Sequence, residues 1–303
     1  MRTSDMVAAY WLPSVGIGPA SGPPPVLPGK QNVVVPLTDV LNYCRSDGTP
    51  QIDVINLMGC TFNAPDDFAN QYLLFDDNLT AALNDGSVAR LQAAGISVVL
   101  TIIGSGGTSV GWSSVPADQL DGFVDYLNTG ILGSDGLNLD GIDVDDEYAI
   151  VGDTLPQTLA AMRAAFPAEK IISKALWDDQ ELIPAIKDSL TFGGIMYYGD
   201  FAGGLEQIFD NYVQLGMRPD QMTIGVNAGP VAQGGSFTSI PTVQALTAWQ
   251  PAGGPKLGMM VWSFSQDIQQ FTADPQNQVA LAFPNAGDHQ WQQVIITAME
   301  GSN

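Results

Sequence analysis

The densest group of acidic side chains lies between Leu139 and Tyr148, where the sequence reads LDGIDVDDEY. Asp143, Asp145 and Glu147 occupy alternate positions, so in a β-strand their three side chains would point to one face. The aliphatic residues between them would point to the other face. We expect the acids to face the axis of a barrel and the aliphatic side chains to face the surrounding helices.

Carboxylates in such a column cannot all be ionised at neutral pH. Alternate side chains of a strand are ~6.6 Å apart. At an effective dielectric constant near 20, two charges at that separation repel each other by about 2.5 kcal/mol, which corresponds to nearly two pKa units. At least one acid should therefore keep its proton beside an ionised neighbour. This combination suits the cleavage of a glycosidic bond.

Other interpretations of the acidic and glycine-rich segments fit the sequence less well. A calcium loop of the EF-hand kind needs Gly at its sixth position, and counting from Asp143 that residue is Tyr148. The alternating aliphatic residues argue against a solvated acidic turn, and we expect no metal site. Residues 104–107, which read GSGG, lack the lysine of a phosphate-binding loop. We interpret them as a close approach of the backbone after a strand.

The acidic segment resembles the signature of glycoside hydrolase family 18, Asp-x-x-Asp-x-Asp-x-Glu, which ends the fourth strand of a (β/α)8 barrel. Its positions are Asp140, Asp143, Asp145 and Glu147 here. Asp146 directly before the glutamate gives the sequence Asp-Glu-Tyr, which resembles that of endo-β-N-acetylglucosaminidases of the Endo H type. The resemblance implies that Glu147 is the acid and base, that Asp145 assists beside it, and that Asp143 shares a proton or hydrogen bond with Asp145.

Weaker local similarities to the same family implicate residues on other strands. Met196 and Tyr198 resemble the Met-x-Tyr of the sixth barrel strand, whose tyrosine holds the N-acetyl group of the substrate. Trp262 resembles the tryptophan that forms the floor under the cleaved sugar, and Tyr10 stands where the family has an aromatic residue near the acids. Thr101 stands where chitinases have a serine that supports the first acid of the column.

The resemblance implies a retaining, substrate-assisted hydrolysis without metal or organic cofactor, acting on an oligosaccharide that contains N-acetylglucosamine. The favoured substrate is the β-1,4 bond between the two core residues of an N-glycan. A chitinase or chitooligosaccharide hydrolase is the first alternative. A non-catalytic carbohydrate-binding, inhibitor or storage barrel is the second, although the presence of Glu147 argues against it.

Composition favours one large domain and excludes polyanionic partners. The chain has 303 residues, 45% of them hydrophobic, and one-domain barrels commonly reach about 250 residues or more. We expect residues 1–303 to form a single catalytic barrel, present as a monomer. The net charge of −22 opposes binding to nucleic acid or to anionic membranes and favours a neutral or cationic substrate.

No apolar run reaches the ~18 residues of a membrane span. The apolar stretch before Pro13 is too short for a secretory signal. We nevertheless expect a secreted protein, and a cytoplasmic location stays open.

Cysteine and histidine are too scarce to build other kinds of site. Cys44 and Cys60 do not form a disulfide framework, and both free thiols and a single pair are compatible with the sequence. The one histidine, His289, removes most serine, cysteine and zinc hydrolase schemes. We expect His289 to be a solvated residue of a helix.

Short apolar runs alternate with amphipathic segments along the chain, which is typical of repeated βα units around a parallel sheet. The expected strands are Met6–Trp11, Ile52–Met58, Ser97–Ile103, Leu139–Asp145, Ile171–Leu176, Gly194–Tyr198, Met222–Asn227 and Gly258–Phe264. The expected helices are Leu79–Ala94, Leu155–Phe166, Glu206–Leu215, Pro241–Trp249 and Trp291–Met299. The Pro- and Gly-rich segment 13–29 is expected to form a long loop at the catalytic face.

Overall fold

The chain folds around a closed parallel β-barrel. The computed structural model describes residues 5–13, 34–104, 110–146, 154–177, 180–196, 198–199, 204–228, 237–267 and 289–301. Nine strands lie in these ranges: β1 (Met6–Trp11), β2 (Val54–Phe62), β3 (Leu73–Phe75), β4 (Ser97–Ile103), β5 (Gly141–Asp145), β6 (Ile171–Leu176), β7 (Phe192–Ile195), β8 (Met222–Asn227) and β9 (Gly258–Trp262).

Eight of these strands make the barrel, and β3 lies outside the ring. The parallel order is β1-β9-β8-β7-β6-β5-β4-β2, and β1 pairs with both β9 and β2, which closes the ring. β3 pairs antiparallel with the end of β2. The (β/α)8 barrel expected from the alternating pattern is confirmed.

Helices surround the barrel and cover the outer face of its strands. Within the described ranges they are α1 (Asp77–Asn84), α2 (Ser87–Ala93), α3 (Leu120–Tyr126), α4 (Leu155–Ala165), α5 (Ile183–Ile186), α6 (Leu205–Gln214), α7 (Ile240–Ala248) and α8 (Gln290–Gly301). Short 3₁₀ turns add Leu37–Asn42, Trp112–Ser114, Gln180–Leu182 and Pro219–Gln221. A large apolar core lies between strands and helices, and a smaller one fills the barrel interior.

Four of the expected strands, β1, β4, β6 and β8, have the predicted bounds, and the other four, β2, β5, β7 and β9, differ by a few residues at one or both ends. β2 continues past its expected end through a register shift between Leu57 and Cys60, where Gly59 has a φ of 104°. This conformation is open to glycine, and the irregularity allows the strand to continue. β7 begins two residues before its expected start and includes the pair Gly193 and Gly194. Glycine usually weakens a strand, but here it fits a crowded position. A Cβ at Gly193 would lie 2.5 Å from a methyl carbon of Leu176.

Two expectations about individual side chains are decided by packing. His289 is not solvated: it is 3% exposed, its ring stacks on Phe264 at 4.0 Å and meets Tyr43 edge-on at 4.3 Å. The prediction was wrong because the aromatic neighbours come from distant parts of the chain. Cys44 and Cys60 are both free thiols, so the disulfide alternative does not hold. Among the described helices, none combines the length and hydrophobicity of a membrane span.

Candidate active site

β5 carries two of the predicted acids into the interior of the barrel. Asp143 is 1% exposed and Asp145 is 5% exposed. The alternate residues Ile142 and Val144 belong to the outer core beneath the helices. The alternation expected from the sequence is therefore confirmed for this strand, with the acids on the inner face.

Asp143 accepts hydrogen bonds from hydroxyl groups on three different strands. Tyr10 Oη of β1 and Thr101 Oγ1 of β4 donate to Oδ2 at 2.9 Å and 3.0 Å, and Ser173 Oγ of β6 donates to Oδ1 at 2.6 Å. Thr101 thus keeps the hydroxyl donor that the chitinase serine would supply. Both carboxyl oxygens are satisfied, as a buried carboxyl group requires.

The proton affinity of this site is shifted by burial. Burial raises the pKa of the Asp143 carboxyl above its ordinary value, while the three hydroxyl donors and the charge of Lys174 act in the opposite direction. Burial also raises the pKa of Tyr10 well above its ordinary value, and the neighbouring Asp143 and Asp145 add to that effect. The Tyr10 hydroxyl therefore keeps its proton and serves as a donor. The direction for Asp143 agrees with a column that holds a proton.

The four residues predicted to bind substrate belong to one cluster in the barrel interior. Tyr10 and Met196 are buried in the inner core, and Tyr198 and Trp262 pack partly buried against it. The rings of Tyr10 and Trp262 are 5.2 Å apart, with an angle of 59° between their planes. The Tyr198 hydroxyl lies 4.0 Å from the sulfur of Met260. These side chains come from β1, β9 and the segment after β7, so only closure of the barrel joins them.

The start of β5 is fixed by a close approach and by the first acid of the motif. A Cβ at Gly141 would lie 2.5 Å from the carbonyl oxygen of Ile171 in β6, so the strands can pair here only without a side chain. Asp140 accepts hydrogen bonds from the Val98 amide at 2.8 Å and from Gln92 at 3.0 Å. Asp140 is therefore part of the framework and sets β5 against β4.

The end of β5 is held by the segment after β4. Ser113 Oγ donates to Asp146 Oδ2 at 2.9 Å. A Cβ at Gly104 would lie 3.0 Å from Asp146 Oδ1, which bears out the interpretation of this glycine as a close approach. Trp112 beside Ser113 is fully buried and donates to the Ile102 carbonyl at 2.7 Å. Asp146 thus ties the end of β5 to the segment that follows β4.

Three sequence predictions fall on residues that the structure does not describe. Glu147 itself lies outside the described residues, as do most of the Pro- and Gly-rich segment and of the GSGG loop. Their roles stay predictions. Among the described residues, no group of three or more His, Cys, Asp or Glu side chains is arranged to hold a metal ion.

Sequence reasoning missed two polar residues of β6 that surround Asp143. Ser173 faces inward and donates to the acid, whereas Lys174 is 1% exposed, donates to the Ala175 carbonyl at 2.9 Å and lowers the pKa of Asp143 through its charge. Their one signal was the presence of two polar residues inside an otherwise apolar run. A run of that kind does not say which strand will lie beside β5.

Known structures with the same architecture include chitinases and endo-β-N-acetylglucosaminidases. A family 18 chitinase from Chromobacterium violaceum superposes with a TM-score of 0.66 at 19% identity, covering 98% of this chain and 83% of that chain. This chain has the fold of family 18 glycoside hydrolases. The endo-β-N-acetylglucosaminidase from Cordyceps militaris gives a TM-score of 0.63 at 19% identity, over 98% of this chain and 91% of that one.

A variant of the Cordyceps enzyme, solved in complex with fucosyl-N-acetylglucosamine-Asn, gives a TM-score of 0.61 at 17% identity and covers the same shares of the two chains, 98% and 91%. No protein-family model matches the sequence. At these identities the superpositions establish the common family 18 fold.

Proposed function

We propose that the protein is a retaining endo-acting glycoside hydrolase that cleaves the β-1,4 bond between the two N-acetylglucosamine residues of an N-glycan core. The observation that carries the proposal is the inner face of β5. It holds Asp143 between hydroxyls of three strands and carries Asp145 on the same face. Tyr10, one of the three donors, belongs to the same inner cluster as Tyr198 and Trp262. Polar groups converge there at the bottom of an otherwise apolar interior, as in ligand sites of barrels.

In the proposed reaction the protein supplies no nucleophile. Glu147 protonates the leaving oxygen while the acetamido oxygen of the substrate attacks the anomeric carbon. Asp145 accepts a hydrogen bond from the N–H of the resulting oxazolinium and stabilises its charge. Glu147 then removes a proton from the attacking water, as reversibility of the step requires, and configuration is retained. No metal or organic cofactor takes part.

Asp143 has a supporting role in this scheme. Its raised pKa favours a proton on Asp143, which would share that proton or a hydrogen bond with Asp145 while Asp145 accepts a hydrogen bond from the substrate N–H. Tyr198 would hold the N-acetyl group, Trp262 would lie beneath the sugar, and Met196 would pack at the base of the pocket.

The distribution of tryptophans supports an N-glycan over polymeric chitin. A chitin cleft needs a row of exposed aromatic platforms, but Trp11 and Trp112 near the strand ends are 2% and 0% exposed. Only Trp177 and Trp262 remain near the carboxyl ends of described strands. The Cordyceps variant binds fucosyl-N-acetylglucosamine-Asn, which is a fragment of an N-glycan core, and we propose the same core as the substrate here.

The deciding experiment compares a high-mannose glycoprotein with chitohexaose under matched conditions. Release of the glycan, cut between the two core sugars, should exceed turnover of chitohexaose. Faster cleavage of chitohexaose, with the glycoprotein intact, would instead identify a chitinase. Binding of both without cleavage of either would identify a non-catalytic barrel.

The Glu147→Gln variant tests the acid in the same assay. Amide and acid are nearly isosteric, so the variant should fold, but it cannot donate the proton. General acid catalysis contributes roughly 10²–10⁴-fold, and we expect a loss of that size. Activity within a few-fold of wild type on an unactivated glycan would contradict the assignment of Glu147.

A further inference from the structure

Thr238 joins parts of the chain that are distant in sequence. It is fully buried and lies between β8 and α7. Its backbone N–H donates to the Asn227 carbonyl at 2.8 Å, and its own carbonyl accepts a hydrogen bond from the Trp291 indole at 2.6 Å. The backbone of Thr238 is therefore fixed by the end of β8 and by α8, and its side chain starts from a defined position.

The hydroxyl oxygen of Thr238 accepts two hydrogen bonds from the backbone. The N–H groups of Asn227 and Gly199 donate to Oγ1 at 3.1 Å and 3.2 Å. A threonine hydroxyl has two acceptor lone pairs, and its β-branched side chain has few rotamers, so both bonds have a defined direction. Because a buried backbone N–H needs an acceptor, Thr238 satisfies Gly199 as well as holding it.

The hydrogen bond to Gly199 acts on Tyr198, the residue directly before it. β7 ends at Ile195, so Tyr198 lies beyond the strand pairing of the barrel. The Gly199 N–H belongs to the same planar peptide group as the Tyr198 carbonyl, so Thr238 restrains the backbone on one side of the Tyr198 Cα. Gly199 has a φ of 114°, a conformation open to glycine, at the point where this contact is made.

The ring of Tyr198 rests on the same part of the barrel. A Cβ at Gly225 of β8 would lie 3.3 Å from Cε1 of Tyr198, so the absence of a side chain there leaves room for the ring. The Tyr198 hydroxyl lies 4.0 Å from the sulfur of Met260 in the adjacent strand β9. Backbone and ring of Tyr198 are thus both placed relative to β8, the backbone through Thr238 and the ring through Gly225.

We propose that Thr238 is a positioning residue that holds Tyr198 in place for the N-acetyl group of the substrate. This inference rests on the proposed function, which assigns that group to Tyr198. The acetamido oxygen is the nucleophile of the proposed reaction, so a small displacement of the side chain that holds it slows the attack. Thr238 acts through Tyr198 and should therefore affect kcat more than KM.

The test removes the hydroxyl with Thr238→Val, which keeps the β-branched shape. Kinetics are measured on the substrate that the wild-type protein cleaves, the high-mannose glycoprotein or chitohexaose. We expect kcat to fall about tenfold, with KM within about twofold of wild type. Affinity for the thiazoline of N-acetylglucosamine, a stable analogue of the oxazolinium, should fall by about three- to tenfold. Thr238→Ser, which keeps the hydroxyl, should restore most of both losses.

A matched control and a second background separate positioning from general stability. Thr247 is also buried, and its hydroxyl donates to the Val243 carbonyl at 2.7 Å within α7. Thr247→Val should lower the melting temperature as Thr238→Val does but leave kcat and thiazoline affinity at the wild-type values. In a Tyr198→Phe background, Thr238→Val should have little further effect on kcat, because the hydroxyl that Thr238 positions is absent. If Thr238→Val does not fold, Thr238→Cys replaces it, since a thiol of similar size is a weaker acceptor.

The outcomes separate this inference from the proposed function. Active wild-type protein, combined with a Thr238→Val variant whose kcat and thiazoline affinity stay within about twofold of wild type, overturns the positioning role alone. Equal losses in Thr238→Ser and Thr238→Val, or an undiminished loss in the Tyr198→Phe background, also overturn it, because the hydroxyl or its action through Tyr198 would then be irrelevant. Wild-type protein that neither cleaves either substrate nor binds the thiazoline overturns the proposed function and the positioning role together.

Discussion

Asp143 shows how a single buried carboxyl group is made useful at the scale of the residue. Its oxygens are held by Tyr10, Thr101 and Ser173, so the group is fixed in place without an ion pair to a partner. Because these donors are neutral, burial remains the largest influence on the pKa of Asp143, and the pKa rises. A buried carboxyl group whose pKa is raised favours its protonated form more than an exposed one does, which is the property that the proposed function assigns to Asp143 beside Asp145.

The raised pKa has a consequence for stability that Asp143→Asn reveals. A folded-state pKa above the ordinary 3.8 means that the folded protein binds more protons than the unfolded chain, so this contribution to stability is lost as pH rises through the folded value. Each unit by which the folded-state pKa exceeds the unfolded-state pKa corresponds to about 1.4 kcal/mol in the free energy of unfolding. The variant should therefore gain stability relative to wild type as pH rises from 4 toward neutrality, as followed by urea unfolding.

The exposed Asp118→Asn serves as control and should show no comparable trend. A difference between Asp143→Asn and wild type that stays constant over the same pH range would contradict the assignment of the buried proton to this site.

Asp145 is predicted to act on the intermediate more than on bound substrate. Asp145→Asn should slow glycan hydrolysis by about 10²-fold, with a much smaller change in KM, because the carboxylate charge matters most when the oxazolinium forms. The variant should still join a synthetic oxazoline to an acceptor sugar. Normal hydrolysis, or an inability to use the oxazoline, would rule out this role.

At the scale of the element, β5 is positioned at its start by β4 and at its end by the segment that follows β4. Asp140 fixes its start through the Val98 amide, and Asp146 fixes its end through Ser113. Asp140 and Asp146 thus have framework contacts, while Asp143 and Asp145 face the barrel interior. This division explains why a short motif contains so many carboxylates.

Gly104→Ala tests the clamp at the end of β5. The added Cβ would lie 3.0 Å from Asp146 Oδ1, so the Asp146 carboxyl group must shift by a few tenths of an ångström, which disturbs the hydrogen bond that it accepts from Ser113. A displacement of 1 Å can cost 10²-fold in rate, and we expect kcat to fall by about tenfold with thermal stability nearly retained.

Gly111→Ala is the matched control, because its Cβ would meet no atom closer than 3.8 Å. It should keep wild-type kcat. An equal effect of the two substitutions would show that the loop tolerates no alanine in general, and that the contact with Asp146 has no special role.

At the scale of the whole molecule, the excess of acids sets the field around the barrel. The net charge is −22 at pH 7, with ten Lys and Arg against 32 Asp and Glu. Two of the few cations are buried: Lys256 and Lys174 are both 1% exposed, and Lys256 donates to the carbonyls of Thr247 and Trp249 at the end of α7. A surface depleted of cations repels anionic ligands over a distance limited by salt.

Charge repulsion predicts a preference for neutral glycans that depends on salt. At low ionic strength, kcat/KM for a sialylated glycan should lie about tenfold below that for its desialylated form, the lower end of electrostatic effects on association. Raising the salt concentration to several tenths molar should remove most of this difference. Equal kcat/KM values at low salt would show that the net charge does not influence the binding of glycans at the site.

Local sequence determined the repeated units of this protein. Parallel strands buried on both faces need continuous apolar runs, which is why β1, β4, β6 and β8 were predicted with their observed bounds. Alternation of acids and aliphatic residues likewise fixed which face of β5 carries Asp143 and Asp145. Both properties depend only on neighbours along the chain, so they can be read without the fold.

Tertiary structure alone decided what surrounds those acids. Ser173 and Lys174 became neighbours of Asp143 because β6 pairs with β5, and Tyr10 reached it across the barrel at a separation of 133 residues. His289 is buried by Phe264 and Tyr43, which no local pattern connects to it. Burial and pairing between distant segments result from closing the sheet into a ring, and a periodicity of two residues along one strand contains no information about them.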